Sequence, residues 1–524
     1  MGAVMTINRD LPRSRRSGGR AARRSLRAAP LAAALRPVRG GLEGGQFRPL
    51  DAAAIAAIDQ TVMQILAEIG LSQAPPSGID YMTAAGAECG DDGRLRFPPA
   101  LVRHTLATCA RDITLHGQKP DHDLLLSGTR VHYGTAGAAV HVVDVANNTY
   151  RESYLADIYD AARIVEQMDN IHFFQRPMVA RDIEDPAALD LNTVYAAVKG
   201  TTKHVGVSFT EAAFMPPVFE MLHMIAGDEA SWRARPFVSN SNCFVVPPLR
   251  FAPEACLVME AAVRGGMPVL LLSAGQAGAT APASIAGAVA QALAEVIAGL
   301  IYVNAMQPGH PCICGTWPFV SDLRSGAMSG GSGEQGLLTA ACAQMLHYYN
   351  LPAGAAAGMA DAKMPDAQSG YEKGSTLVMA GLSGLNMVYE AAGMHASLLG
   401  FCLESLIIDN DMLGQCLRCV RGIEVNEDTL ALSVMKDVCL DGPGHYLGHD
   451  QTIRLMQSEY VYPVIADRSS PKEWAELGRP NLVEVASRRK EQILQSPGPG
   501  HIADPLDAAL RQRFDIRLPQ PATV

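Results

Sequence analysis

Val269-Leu-Leu-Leu-Ser273, a long apolar-patterned stretch over 283–306, and then Cys312-Ile-Cys-Gly-Thr-Trp317 read as strand, helix and strand in succession. The first and last runs are short and apolar, as strands covered on both faces are, and the stretch between them is long enough for a crossover helix. The same alternation continues outward in both directions. Short apolar or β-branched runs recur at 139–143, 171–174, 204–209, 237–240, 355–359 and 386–389. Helical patterns separate them at 154–168, 187–199, 253–264, 336–349, 371–382 and 398–421. Eight such units fit a (β/α)8 TIM barrel of the α/β class; a doubly wound sheet has the same alternation and differs in strand count.

The repeats assign the barrel to residues 131–425. Before them, 49–130 reads as an N-terminal helical cap, with Ile55, Ile58, Val62, Ile65, Leu66 and Ile69 at helical spacing. After them, 426–524 reads as a C-terminal helical extension with helices near 452–456 and 482–494. Residues 1–48 are expected to form a disordered basic tail, because the stretch from Arg9 to Arg39 is rich in Arg, Ala, Pro and Gly and carries one acid, Asp10. Arg23-Arg24-Ser-Leu could open a twin-arginine signal, but the apolar stretch that follows is short and closed by Arg36, so a cytoplasmic protein is expected.

Composition narrows the function classes. With 48% hydrophobic and 18% charged residues over 524 positions, the chain has ample material for a core. Eleven cysteines without framework spacing indicate reduced thiols. A net charge of −10 argues against nucleic acid as a partner, and no uninterrupted apolar run approaches the roughly 18 to 20 residues that span a bilayer, so no membrane association is expected.

In a barrel the residues just beyond each strand line the active site. Here they are Gln175-Arg176, Phe209-Thr210, Asn240-Ser-Asn242, Ser273-Ala-Gly-Gln276, Trp317-Pro-Phe319, Asp361-Ala-Lys363 and Tyr389-Glu390. Aromatic faces hold a quaternary ammonium that has no hydrogen to donate, and Phe209, Trp317, Phe319, Tyr371 and Tyr389 are candidates; each also reads as packing. Glu390, Asp361 and Glu372 would add negative charge, or would pair with Lys363, Lys373 or Arg176. The amides of Gln175, Asn240, Asn242 and Gln276 complete the expected substrate contacts. Gly330, Gly331 and Ser332 stand before a helix, with Ser332 and Gln335 spaced as a capping box, so their free amides either hold a substrate carboxylate or simply cap. His445 and His449 read as a general base or as part of a lid loop. If any residue acts on protons, Asp361, Glu390 and His445 are the candidates.

Other chemistry lacks its residues. The close thiol pair Cys312-x-Cys314 has no histidine placed to complete a zinc set, so no metal is expected. There is no Gly-x-Ser-x-Gly elbow, and Gly330-Gly-Ser-Gly-Glu334 lacks the Lys of a phosphate loop. Lys363 could form a Schiff base in a lyase.

Several motifs then occur in one order: Ser329-Gly-Gly331, Ala360-Asp-Ala-Lys-Met-Pro-Asp-Ala-Gln-Ser-Gly-Tyr-Glu-Lys373, Ile408-Asp-Asn410, Arg421-Gly-Ile-Glu-Val425 and Gly442-Pro-Gly-His-Tyr-Leu-Gly448. From about Pro49 to Leu494 the chain resembles the trimethylamine methyltransferase family. The resemblance implies a TIM barrel that passes a methyl group from a methylated amine to the Co(I) corrinoid (cobalamin) of a small partner protein. The founding members use pyrrolysine, which is absent here, so the chain is similar to the branch acting on quaternary amines such as glycine betaine. A quaternary ammonium leaves as a neutral amine and needs no acid, in keeping with a mouth that lacks a catalytic dyad. No Asp-x-His-x-x-Gly cobalt motif is present, so the corrinoid is expected on a cognate partner and not bound tightly by this chain. A homo-oligomer is expected. Two alternatives stay open: direct transfer from a betaine to tetrahydrofolate, and a non-catalytic betaine-binding protein of the same fold.

Overall fold

The computed structural model describes residues 31–440 and 442–520. Eight parallel strands form its centre, each followed by a helix. They are β1 (Arg130–Tyr133), α1 (Leu155–Glu166), β2 (Phe173–Gln175), α2 (Pro186–Gly200), β3 (His204–Val207), α3 (Met215–Ala226), β4 (Val238–Asn242) and α4 (Pro253–Arg264). The second half continues with β5 (Val269–Ser273), α5 (Ile285–Met306), β6 (Cys312–Thr316), α6 (Gly333–Tyr348), β7 (Ala353–Ala356), α7 (Ala367–Leu382), β8 (Met387–Tyr389) and α8 (Leu403–Arg421). Each strand pairs in parallel with the next, and β8 pairs in parallel with β1. A parallel bridge between Gly134 and Phe173 closes the ring, where His172 N–H donates to Tyr133 O at 2.6 Å. The chain is a (β/α)8 barrel.

One strand differs from its sequence reading. The run at 139–143 is apolar and was expected to be the first barrel strand, yet the barrel takes Arg130–Tyr133. That segment looks half-polar because His132, buried at 4% exposure, points inward and bonds Asn386 O at 3.0 Å, while Val131 and Tyr133 serve the helix side. The apolar run instead feeds His141–Asp144, part of a small mixed sheet with Thr149–Glu152, Met394–His395 and Gly400–Phe401.

The flanks also differ in part. The basic tail expected over 1–48 lies outside the described residues up to 30. Further on, Leu42 pairs antiparallel with Val131, so the end of that stretch is built onto the barrel. Helices Ala52–Gln64, Pro76–Ala84 and Pro99–Thr108 pack on α5. By length and composition α5 could cross a bilayer, with a window hydropathy of 1.7, but 83% of that window is buried in the protein. There Glu295 accepts from Leu249 N–H at 2.8 Å and from Ser273 Oγ at 2.5 Å, tying the loop after β4 to the end of β5.

The chain divides into two compact units. One comprises 38–423 with 462–524; in it, helix Leu482–Gln495 packs on α8 and α1, and Asp504–Arg513 packs on α3. The other comprises, among the described residues, 31–37 with 424–461, where Asn426 caps the short helix Glu427–Leu430 and Arg454 pairs with Asp428 at 2.9 Å.

Candidate functional site

The register decides which strand residues face the barrel interior. Tyr133 and Ser273 mark the helix side, since their hydroxyls reach Leu377 O on α7 and Glu295 on α5. Partners across parallel strands share a face. Phe173, Gln175, Ser239, Ser241, Leu270 and Tyr389 therefore point inward. Asn240 and Asn242 pair with Val207, Val269 and Leu271 on the helix side. This corrects two expected substrate contacts: one step of register gives the interior to Ser239 and Ser241 instead.

Inside, an aromatic column rises towards the strand ends. The Tyr389 ring lies 5.2 Å from Phe173, edge-on, and 5.1 Å from Trp317, both buried, so β2, β8 and the residue after β6 contribute to one cluster. Phe173 and Tyr389 can meet across β1 because Gly134 has no side chain; a Cβ there would stand 2.4 Å from the Phe173 ring. Gln175 depends on Gly206 in the same way. Trp317 Nε1 is buried without an acceptor. Phe209 and Phe319 are also buried, at 5% and 6% exposure. Gln276 pairs with Phe319 in a small sheet beyond the strand ends. Tyr371 is 65% exposed on the outer side of α7, which removes it from the aromatic set. Helical spacing carried that signal, because Glu372, Lys373, Thr376 and Leu377 form the buried face.

Glu390, the residue after β8, is the exception among the acids. Ten Asp and Glu side chains are buried among the described residues, and nine of them accept hydrogen bonds from amides, hydroxyls or cations. Glu390, 1% exposed, has no such partner, and its Oε2 is fully enclosed. Burial pushes its carboxyl up from the ordinary 4.5 to about 8. Its φ of 62° is in the left-handed region, which costs a non-glycine residue roughly 1 kcal/mol or more. A strained, buried and unpaired carboxylate directly after Tyr389 in the chain is a candidate partner for a cation. Cys243, past β4, borders the same region: burial of its thiol, and to a lesser degree Glu390, raise it to about 11, although the residue as a whole is exposed. The sequence reading passed over Cys243.

The other expected acids are already engaged. Asp361 accepts from Gly330 N–H at 2.8 Å, Gly331 N–H at 3.3 Å, Ser329 Oγ at 3.0 Å and Ser397 Oγ at 2.6 Å. The amides expected to bind a substrate carboxylate thus hold the chain's own, joining the loops after β6, β7 and β8. Ser332 caps α6 through Gln335 N–H, whereas the Gln335 side chain turns to Pro318 O. Glu372 accepts from the backbone N–H of Asp361 and Ala362. Lys363 is exposed and donates to Asp361 O, a poor setting for a Schiff base. His445 is exposed in the 424–461 unit, and His449 Nδ1 accepts from Gln451 N–H as a helix cap. Gly354 and Gly358 let the backbone approach closely, since a Cβ at the first would meet Ile313 and Tyr389 and at the second Leu377 and Ala391.

Comparison with known proteins identifies the family. Residues 16–518 match the family described as trimethylamine methyltransferase. A trimethylamine methyltransferase of Methanosarcina barkeri is 30% identical over 466 residues, covering 87% of this chain and 91% of that one. A glycine betaine methyltransferase of Desulfitobacterium hafniense is 28% identical over 460 residues, covering 87% and 94%. Among solved structures, the monomethylamine methyltransferase of Methanosarcina barkeri is 11% identical with a TM-score of 0.45, covering 86% and 95%. The chain belongs to the trimethylamine methyltransferase family and is a methyltransferase.

Proposed function

We propose that the enzyme takes a methyl group from a small quaternary amine of the betaine kind and passes it to the Co(I) corrinoid of a partner protein in the cytoplasm. The observation that carries this reading is Glu390, buried and unpaired and directly following Tyr389, whose ring packs on Trp317. In its ionised form Glu390 balances the ammonium, and the rings pack on the remaining methyl groups. The corrinoid supplies the nucleophile. The C–N bond breaks with its electron pair staying on nitrogen, the methyl passes to the acceptor, and the neutral tertiary amine leaves without a proton. Because positive charge on nitrogen fades as the bond breaks, Glu390 favours the bound substrate more than the transition state. Its part is binding, and the enclosed aromatic setting favours a transfer that consumes charge.

The test supplies the full-length chain with a reduced corrinoid protein or free Co(I) cobalamin and a panel of amines: glycine betaine, carnitine, proline betaine, choline and trimethylamine. Methyl-cobalt formation is followed by absorbance. Turnover of at least one quaternary amine that depends on the corrinoid is expected. Demethylation that proceeds with tetrahydrofolate alone, or tight binding without product, would overturn the reading in favour of the two alternatives above.

A further inference from the structure

We propose that Arg176 holds an anionic arm of the substrate, so that the enzyme selects quaternary amines bearing a carboxylate over those with a neutral arm. The inference rests on the preceding reading of Glu390 as the ammonium partner. Arg176 follows β2 directly, on the strand-end rim that also carries Glu390. β2 and β8 flank β1, and the rings of Phe173 and Tyr389 meet across Gly134, so the two charged residues stand on either side of β1 on the rim. They do not satisfy each other. The acid that acts on Arg176 is Asp190, which Thr210 already engages through N–H at 2.8 Å and Oγ at 2.9 Å.

Arg176 forms no ion pair among the described residues, and its Nε is buried without an acceptor. Its Nη2 donates to Ser208 Oγ at 3.2 Å, and Ser208 in turn donates to Ser241 O at 2.6 Å, which fixes the guanidinium. A largely buried guanidinium with an unmet donor fits a planar carboxylate. The amides of Gly330 and Gly331 are occupied by Asp361. Arg250, whose Nε also lacks an acceptor, is on a loop bridged to Ser72 rather than at a strand end. One arginine and one glutamate on a shared rim thus form a receptor for a zwitterion.

Calorimetric titration of the full chain with glycine betaine and with choline tests this, since the two share an ammonium and differ in carboxylate against hydroxymethyl. The wild type is expected to bind glycine betaine more tightly. Arg176→Gln should weaken glycine betaine by about thirty- to a hundredfold, the worth of a charge-assisted hydrogen-bonded pair, and leave choline within about twofold. Arg176→Lys should fall between, and Ser208→Ala, which keeps the guanidinium, should shift glycine betaine in the same direction by less, so a poorly folding Arg176→Gln does not end the test. Equal losses for both ligands, or no loss, overturn the role of Arg176 while leaving Glu390 untouched. Failure of the wild type to bind either ligand overturns the quaternary-amine reading itself, and this one with it.

Discussion

If Glu390 is the ammonium partner, substrate binding must weaken as the solution becomes acidic, by an amount its environment sets. With a carboxyl titrating near 8, about a tenth of the ligand-free protein is ionised at pH 7 and about nine tenths at pH 9, so the apparent Kd should fall roughly tenfold over that interval. Binding should release a proton at pH 7, because the cation restores the ordinary carboxylate state; titrations in buffers of different ionisation enthalpy measure it. The stability of the ligand-free protein carries the opposite sign. The folded state keeps the Glu390 proton from pH 4.5 up to about 8 while the unfolded state has lost it, so stability falls with rising pH, by up to about 5 kcal/mol at about 1.4 kcal/mol per unit. Lys203, which burial lowers to about 8, titrates in the same interval. The informative quantity is therefore the difference between Glu390→Gln and wild type. The variant should gain relative stability between pH 5 and pH 9, lose the pH dependence of binding, and raise KM more than it lowers kcat. A wild-type Kd that is flat from pH 6 to 9, or a variant with the same slope, would refute the reasoning.

Four further substitutions probe the supports. Asp361→Ala frees two amides and two hydroxyls that it now gathers, and should cost about 2–4 kcal/mol in denaturant unfolding while leaving the pH slope of binding intact. Lys373→Met leaves Asp409, 2% exposed and paired with Lys373 at 2.7 Å, without its cation; a loss of about 3–5 kcal/mol is expected, partly restored by adding Asp409→Asn. Gly134→Ala forces Phe173 away from Tyr389 and should cost about 1–3 kcal/mol in thermal or denaturant unfolding, with weaker ligand binding in calorimetry. Trp317→Leu should weaken quaternary ammonium binding by about three- to thirtyfold in the same titration with little change in its pH slope.

Much of this was legible before any coordinates. The repeat of short apolar runs and amphipathic helices names the barrel because buried parallel strands and their crossover helices each impose their own periodicity. Most strand positions follow from it to within a few residues, and so do the rim positions. The first strand escaped because its inward residue is a hydrogen-bonded histidine, His132, while a more apolar run nearby went to a peripheral sheet. Asn240 and Asn242 escaped because facing depends on register, which no single strand carries in its own sequence.

The sequence alone determined the fold class, the family pattern and the list of ionisable residues near the rim, since these follow from local periodicity and residue type. Only the tertiary structure could separate the acids from one another. Asp361 and the amides of Gly330 and Gly331 are some thirty residues apart in the chain and meet at 2.8 and 3.3 Å; Glu372 and Asp409 find partners in the same way. Among the buried acids of the described residues, Glu390 is the one left over when that pairing is complete. Whether a buried charge is satisfied depends on the loops that converge around it, and that convergence exists only in the folded chain.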